Sequence, residues 1–128
     1  MRDDWRTATR GWWRDHDGKT QAELVSGAKD DPLYDEAREL LRKLGLPREA
    51  LDRASHVEIK LATVMRRAGQ PLVDLVINNV VCGTNNPEWK YTCDTLLPKL
   101  LRPGQRLTID GVDKFGRRYS RTYEGEPE

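Results

Sequence analysis

One short segment, "LVDLVINN" at residues 72–79, limits the folds that this chain can adopt. It is a strand-length run of mostly Val, Ile and Leu, and it follows the helix-breaking residues Gly69 and Pro71. Such a run is typical of a central strand that is buried on both faces. A strand of this kind has to be covered by helices, so the segment predicts an α/β protein.

Two helices are predicted before this strand. In "DDPLYDEARELLRKLGLP", Asp31 is a good N-cap residue, and Pro32 suits the first helical position. In "SHVEIKLATVMRRAG", a helix is predicted to begin at Ser55 and to bury a single apolar stripe. The segment "REALDRA" between them is predicted to be a linker or a short turn.

The remaining segments predict four further strands and one short helix. "TRGWWRD" and "QAELVS" are strand candidates near the N-terminus, "CDTLLP" is a short helix, and "QRLTIDG" and "RRYSRTYEG" are strand candidates near the C-terminus. The order β, β, α, α, β, short α, β, β predicts a mixed sheet with helices packed against it. A chain of 128 residues is long enough for one domain, so we expect a single domain over residues 1–128 with a frayed tail at 124–128.

The composition excludes some classes of protein. Because 22 Lys and Arg nearly balance 21 Asp and Glu, the net charge does not predict a nucleic-acid partner. A nucleic-acid substrate would need a local basic groove, for which the candidates are Arg66, Arg67, Lys99 and Arg102. No apolar run approaches the roughly 18 residues of a membrane span, and no secretory signal is visible at the N-terminus. Two cysteines are too few for a disulfide framework, which favours a reducing compartment.

The side chains that could bind a transition metal are few enough to enumerate, at two His and two Cys. Zinc binds imidazole nitrogen and thiolate sulfur. A closed structural site would need His16, His56, Cys82 and Cys93. An open site would use His56, Cys82 and Cys93 and leave one position for water, as catalytic zinc sites do. A disulfide between the two cysteines is a third possibility.

Glu58 makes the catalytic site more attractive, because a carboxylate beside activated water can take its proton and return it to a leaving amine. In a regular helix His56 and Glu58 would lie about 200° apart. Side chains of a first turn nevertheless lean toward the helix N-terminus, where they can meet. Ser55 and Glu58 also match a capping box, which would serve only the helix start. Spacing alone leaves these alternatives open.

Three segments in this order carry a family resemblance: "SHVEIKLA", "LVINNVVC" and "CDTLLPKLLRPGQRLTI". Together they resemble the bacterial polymorphic-toxin cytidine deaminases of the SCP group, which are relatives of the double-stranded-DNA deaminase toxin. The resemblance covers roughly residues 7–123. It implies the three-layer cytidine-deaminase fold, with a five-stranded mixed sheet flanked by helices. It also implies Zn²⁺ bound by His56, Cys82 and Cys93, Glu58 as the proton shuttle, and a contact of Asn79 with the nucleotide sugar.

The loop between the cysteines departs from the deaminase signature. That signature has Pro before the first Cys and two residues between the pair, whereas here Val81 precedes Cys82 and ten residues separate the cysteines. A longer loop can still close on one ion, because closure cost grows slowly with length. Trp89 and Tyr91 in this loop are candidates for stacking on a base. Packing of Trp89 onto the protein is the alternative.

The leading hypothesis is a zinc-dependent cytosine deaminase that converts cytosine to uracil in DNA, with single strands favoured and duplexes possible. The resemblance implies the toxin domain of a secreted bacterial effector that acts in the cytoplasm of a recipient cell. It also implies a cognate immunity protein as partner, and we expect a monomer with no membrane association. An RNA or nucleoside deaminase is one alternative. A zinc-stabilised nucleic-acid-binding module without turnover is another.

Overall fold

Across the residues that the structure describes, the fold is an α/β arrangement of five strands and four helices. The computed structural model describes residues 9–15, 17–19, 23–28, 30–78, 90–112 and 115–126. Within these ranges the elements are β1 (Arg10–Arg14), β2 (Leu24–Val25), α1 (Pro32–Lys43), α2 (Arg48–Leu51), a 3₁₀ turn (Asp52–Ser55), α3 (Val57–Ala68), β3 (Leu72–Ile77), α4 (Cys93–Leu100), β4 (Arg106–Val112) and β5 (Arg118–Glu124). The predicted order of strands and helices is confirmed except for α2 and the 3₁₀ turn, which lie in the segment predicted to be a linker or short turn.

The strands form one mixed sheet in the order β2-β1-β3-β4-β5. The β3–β4 pair is parallel, and the other three pairs are antiparallel. Helix α4 lies in the connection between the two parallel strands, as a parallel connection requires. This architecture confirms the predicted α/β class with a five-stranded mixed sheet.

Strand β3 is covered on one face only, so the prediction that it is buried on both faces was wrong. Val73, Leu75 and Ile77 are buried, whereas Leu72 and Val76 are 43% and 50% exposed. The run looked nearly continuous because two of the three outer-face residues, Leu72 and Val76, are also apolar, and only Asp74 interrupts it. Strand pleating, which alternates the two faces, decided which side chains reach the core.

Helices α3 and α4 lie against the covered face of the sheet. Val57 of α3 packs directly over Gly11 of β1, where an added Cβ would lie 2.7 Å from Val57 Cγ1. At the opposite edge of the sheet, on the same covered face, the hydroxyl of Tyr123 in β5 donates to Asp94 of α4 at 2.6 Å. Glycine at position 11 therefore allows the first turn of α3 to approach the sheet closely.

The segment at residues 48–55, predicted to be a linker or short turn, is wound into α2 and the 3₁₀ turn. Ala50, Leu51 and Ala54 are buried there. Together with α1, this segment packs on the side of α3 that faces away from the sheet. It therefore forms an outer helical layer, and the small size of its alanines allows close contact.

Helix α3 is buried almost all round, so the predicted single apolar stripe was too narrow. Every residue from 57 to 63 is buried, including the charged side chains of Glu58 and Lys60. The helix lies between the sheet and the outer helices, which explains why both of its sides are covered. Of the helices that the structure describes, none combines the length and apolarity needed to cross a bilayer.

Buried Lys60 ties the N-terminal strands to the helices. Its ammonium donates to the carbonyl of Val25 in β2 at 2.7 Å and forms an ion pair with Asp31. Asp31 is also the N-cap of α1, as predicted, and accepts from the amide of Leu33 at 2.9 Å. One cation thus connects β2, α1 and α3.

The C-terminal strand continues further than predicted. Strand β5 includes Glu124, the amide of Gly125 donates to the carbonyl of Gln105 at 3.1 Å, and the amide of Glu126 donates to the carbonyl of Pro98 at 2.9 Å. The frayed tail therefore does not begin at residue 124, because these backbone groups are hydrogen-bonded to the domain.

The Asp31–Lys60 pair predicts a pH dependence of stability. Partial burial raises the pKa of Asp31, but hydrogen bonds from Lys60 and Leu33 outweigh it and hold the pKa below its ordinary value. Because the folded-state pKa is depressed, the contribution is present above the unfolded-state pKa of about 3.9 and is lost as pH falls through the lower folded value. We expect Asp31→Asn, which keeps the cap, to cost about 1.5–3 kcal/mol of unfolding free energy at pH 7.

Urea unfolding of the wild type and Asp31→Asn from pH 7 to pH 2 measures this difference. The difference in unfolding free energy between the two proteins should disappear as the pH falls below about 4. Asp35→Asn, in the same first turn but exposed, is the matched control and should cost well under about 1 kcal/mol at every pH. A gap that stays constant down to pH 2 would contradict the pairing.

Candidate active site

The backbone at the start of α3 sets the positions from which the side chains of His56 and Glu58 extend. His56 is the N-cap residue, with extended backbone at φ −82° and ψ 142°, and the helix begins at Val57 rather than at Ser55 as predicted. The amide of His56 donates to the carbonyl of Arg53 at 2.9 Å, which ends the 3₁₀ turn. Because His56 lies outside the helix, the expected angle of about 200° between it and Glu58 does not apply.

The capping-box alternative for Ser55 and Glu58 was wrong. Ser55 is not the N-cap residue, and no side-chain cap hydrogen bond forms at His56. The Ser55 hydroxyl instead donates to the carbonyl of Asp52 at 3.4 Å. Glu58 lies in the first helical turn and is only 3% exposed. A carboxylate is costly to bury, so its position needs a reason other than helix capping.

Cys93 is the first residue of α4, as the sequence predicted. The N-cap residue Thr92 accepts from the backbone at the third helical position, and the Thr95 hydroxyl accepts from the Thr92 amide at 2.9 Å. Thr95 also donates to the carbonyl of Lys90 at 2.8 Å. This hydrogen bonding fixes the helix start at the buried Cys93. Unpaired amides and the helix dipole at this end favour the thiolate form of a cysteine.

The two helix starts bring three potential ligands together. His56 Nδ1 lies 3.2 Å from Cys93 Sγ. The ligand atoms of His56, Glu58 and Cys93 all lie within 4.8 Å of one another, so this group could hold a metal ion. These three residues are 37 positions apart in the chain at most, and their approach is set by the packing of α3 against α4.

The geometry and chemistry of the group fit zinc. A tetrahedral ion with bonds of about 2.0 Å to nitrogen and 2.3 Å to sulfur holds those two atoms about 3.5 Å apart. The observed 3.2 Å between His56 Nδ1 and Cys93 Sγ is close to that separation. Imidazole and thiolate are also the donors that zinc prefers. The fit supports His56 and Cys93 as two of the predicted ligands.

Several predicted site residues lie outside the described residues. They are the proposed third ligand Cys82, the sugar-contacting Asn79, the loop residue Trp89 and the possible fourth ligand His16. The predictions for these four residues, and the alternative of a Cys82–Cys93 disulfide, therefore stay predictions.

A cavity of about 290 Å³ opens beside the ligand group. Its size is at the lower end of the roughly 300–1,000 Å³ typical of ligand pockets, which suits a small ligand. Its lining comprises the N-cap of α3 and the segment after β2, namely Thr9, Ser26, Gly27, Ser55, His56, Val57 and Glu58. Glu58, although buried, is therefore one of the residues that line a cavity.

Ser26 and Gly27 form a part of this wall that the sequence prediction missed. The Gly27 amide donates to the carbonyl of Ser55 at 2.9 Å, and Gly27 has φ +129°, a conformation that favours glycine. Ser26 exchanges hydrogen bonds with Thr9, from its amide to the Thr9 carbonyl at 2.8 Å and from the Thr9 amide to its hydroxyl at 2.9 Å. The available signal was a Ser-Gly pair at the end of the strand candidate "QAELVS".

Asp94, next to Cys93, was also missed and has a structural role. It accepts from the hydroxyl of Tyr123 at 2.6 Å and lies 3.6 Å from the guanidinium of Arg121. Burial, and then the hydrogen bond to Asp94, raise the pKa of Tyr123 far above its ordinary value. The phenol therefore stays protonated and continues to hold the start of α4 against β5.

Tyr91 lies near the ligand group but lines a different cavity from Glu58. That second cavity, of about 390 Å³, is lined by Glu49, Asp52, Arg53, Lys90 and Tyr91. The side chain of Tyr91 is partly buried against the core, and the Lys90 ammonium lies over its ring, 5.3 Å from the centroid. Among the described residues, Tyr91 is therefore beside the candidate site rather than in the cavity that contains Glu58.

The predicted basic groove does not lie beside the ligand group. Arg66 and Arg67 are in the last turn of α3, about 15 Å along the helix from His56. Arg66 donates to the carbonyl of Leu100 at 2.9 Å, and Arg67 pairs with Glu36 at 2.8 Å. Lys99 and Arg102 lie in and just beyond the last turn of α4, so this basic cluster is at the far ends of both helices.

The fold and the ligand group define an α/β protein with a candidate metal centre built at two helix N-termini. A family model described as SCP1.201-like deaminase matches residues 1–126. The chain therefore belongs to the SCP1.201-like deaminase family, and deaminase is its class of activity. None of the curated proteins compared with the chain matches it.

Zinc titration distinguishes the open site from the closed one. We expect excess zinc to raise the melting temperature of metal-free protein, because free zinc at 1,000 times its Kd would stabilise by about 4 kcal/mol. His56→Ala should lose this response. His16→Ala should keep it if the site is open, since His16 is a ligand only in the closed site. Equal loss in both variants would contradict the open site.

Proposed function

We propose that this deaminase is a zinc-dependent cytosine deaminase that converts cytosine to uracil in DNA. The observation that carries the proposal is the approach of His56, Glu58 and Cys93 within 4.8 Å at the edge of a cavity, in a chain of a deaminase family. Zinc would be held by His56 and Cys93, with Cys82 as the third ligand that the family resemblance implies. When bound, the ion would supply the Lewis acidity that lowers the pKa of water.

In this proposal Glu58 is the proton carrier, which its proximity to His56 and Cys93 supports. The carboxylate takes a proton from the water that attacks C4 of cytosine and delivers it to N3 of the ring. It then moves a second proton from the new C4 hydroxyl to the exocyclic amine, the C4–N bond breaks, and ammonia leaves. Cytosine and water thus give uracil and ammonia, and Glu58 is returned to its starting form.

DNA is the proposed substrate because the resemblance is to DNA-acting deaminases. Arg53 and Lys90 lie in the cavity next to the site, where cations can contact phosphates. Single strands are favoured because a duplex base must first be extruded at a cost of a few kcal/mol. No side chain of the described cavity lining is a large apolar wedge that would replace an extruded base.

We further propose that the domain is the toxic part of a secreted bacterial effector that acts in the cytoplasm of a recipient cell. A cognate immunity protein would then cover the site. This part of the proposal is supported by the resemblance to polymorphic-toxin deaminases.

Replacing Glu58 tests the chemistry. We expect Glu58→Gln to reduce the rate of uracil formation by about 10²–10⁴-fold, because proton transfer by a positioned acid–base contributes that much. The measurement is uracil formed in matched single-stranded DNA, duplex DNA, RNA and free cytidine. Glu124→Gln, which replaces an exposed carboxylate on β5 away from both cavities, is the matched control and should keep wild-type activity.

The substrate panel separates the alternatives. Uracil in DNA but not in RNA or cytidine supports the proposal, whereas activity on RNA or cytidine alone would reassign the substrate. Stoichiometric zinc without turnover on any substrate would indicate a zinc-stabilised binding module. Zinc content and melting temperature of Glu58→Gln should match the wild type, which separates lost chemistry from lost folding.

Expression in a bacterial host that cannot excise uracil tests the toxin proposal. We expect the wild-type domain to slow growth and to raise C-to-T mutation, because deaminated cytosines are copied as thymines. Glu58→Gln should do neither at the same expression level. Equal growth inhibition by both proteins would show that toxicity does not come from deamination.

A further inference from the structure

Arg53 connects the two chain segments that carry the candidate ligands. Its guanidinium Nε donates to the carbonyl of Tyr91 at 2.9 Å, across 38 positions of the chain. Tyr91 lies two residues before Cys93. At the same time the carbonyl of Arg53 accepts from the amide of His56 at 2.9 Å. One residue thus holds His56 through its backbone and the approach to Cys93 through its side chain.

Among the described residues, the other side-chain hydrogen bonds to the backbone of the turn at residues 90–92 all come from Thr95. Within the described part of the chain, the Thr95 hydroxyl donates to the carbonyl of Lys90, and this contact comes from α4 itself. The Thr95 contact shapes the turn relative to its own helix but cannot fix that helix relative to α3. The Arg53–Tyr91 hydrogen bond does so, because Arg53 belongs to the turn that leads into α3.

We propose that Arg53 is a positioning residue that sets the separation of His56 Nδ1 and Cys93 Sγ and so tunes metal affinity. The proposal rests on the proposed metal site. A guanidinium suits this role because its planar Nε–H group has a fixed direction, unlike the freely rotating ammonium of lysine. Groups that orient metal ligands without touching the metal contribute about 10–100-fold to affinity.

The experiment measures zinc affinity by competition with a chromogenic chelator. We expect Arg53→Met, which keeps the aliphatic bulk but has no donor, to bind zinc about 10–100-fold more weakly than the wild type. Arg53→Leu, which also has no donor, is a second loss variant in case Arg53→Met does not fold. Arg48→Met removes an exposed arginine from the neighbouring α2 and should bind zinc like the wild type. Arg53→Lys should recover part of the affinity.

A second readout needs neither zinc nor activity. The chain has two histidines, so a His16→Gln background leaves His56 as the single imidazole signal in nitrogen NMR. We expect the His56 Nδ1 shift of the metal-free protein to change in Arg53→Met and to stay unchanged in Arg48→Met. A residue that only stabilises the fold would lower the melting temperature without moving this signal at temperatures where both variants are folded.

The outcomes distinguish the two proposals. If the wild type binds zinc and both Arg53 loss variants bind it within about threefold of the wild type, the positioning role is wrong while the metal site stands. If the wild type binds no zinc, the metal site fails and the proposed role of Arg53 fails with it. Weaker zinc binding together with the changed His56 signal supports the positioning role.

Discussion

The burial of the first turn of α3 is the constraint on which the rest of the structure depends. Val57 packs over Gly11 on the sheet side, and α1 with the 3₁₀ turn covers the opposite side. Glu58 is consequently removed from water, and Lys60 is buried with its partners Val25 and Asp31. A buried carboxylate and a buried ammonium are both costly, and the ammonium of Lys60 joins three elements of the fold. The Glu58 carboxylate lies within 4.8 Å of the ligand atoms of His56 and Cys93, a group that could hold a metal ion, and Glu58 also lines a cavity.

The order of elements could be predicted from the sequence because periodicity and turn residues report local structure. The α1 start at Asp31 and Pro32 and the α4 start at Cys93 were both predicted correctly. Which faces are buried could not be predicted for β3, since Leu72 and Val76 are apolar but exposed. An apolar residue type shows only that burial is possible at that position. Whether the residue is buried depends on which elements pack against it, and the local sequence does not contain that information.

The candidate site was predicted in part for the same reason. The residue types of His56, Glu58 and Cys93 indicated the chemistry, and the structure brings all three together. The prediction was wrong about how they meet. It began the helix at Ser55 and therefore had to assume that the side chains of the first turn tilt toward the helix N-terminus. The structure uses an extended N-cap at His56 instead. Helix ends are set by competition between local hydrogen bonds and packing, so their exact residue is the part of a helix least readable from sequence.

The arrangement of the site also explains how ligands far apart in sequence can be held without a compact motif. A zinc finger places paired ligands within a few residues of each other, so the local turn supplies the geometry. Here His56 and Cys93 each lie at a helix start, and their separation is inherited from the packing of α3 on α4. Packing between helices tolerates shifts that a metal ion does not, because donor atoms must be placed within a few tenths of an ångström. A direct hydrogen bond between the segments that lead into the two helices, such as the one from Arg53 to Tyr91, would limit that freedom, as the proposed positioning role requires. The geometry of a site whose ligands are far apart in the chain therefore depends on residues outside the site.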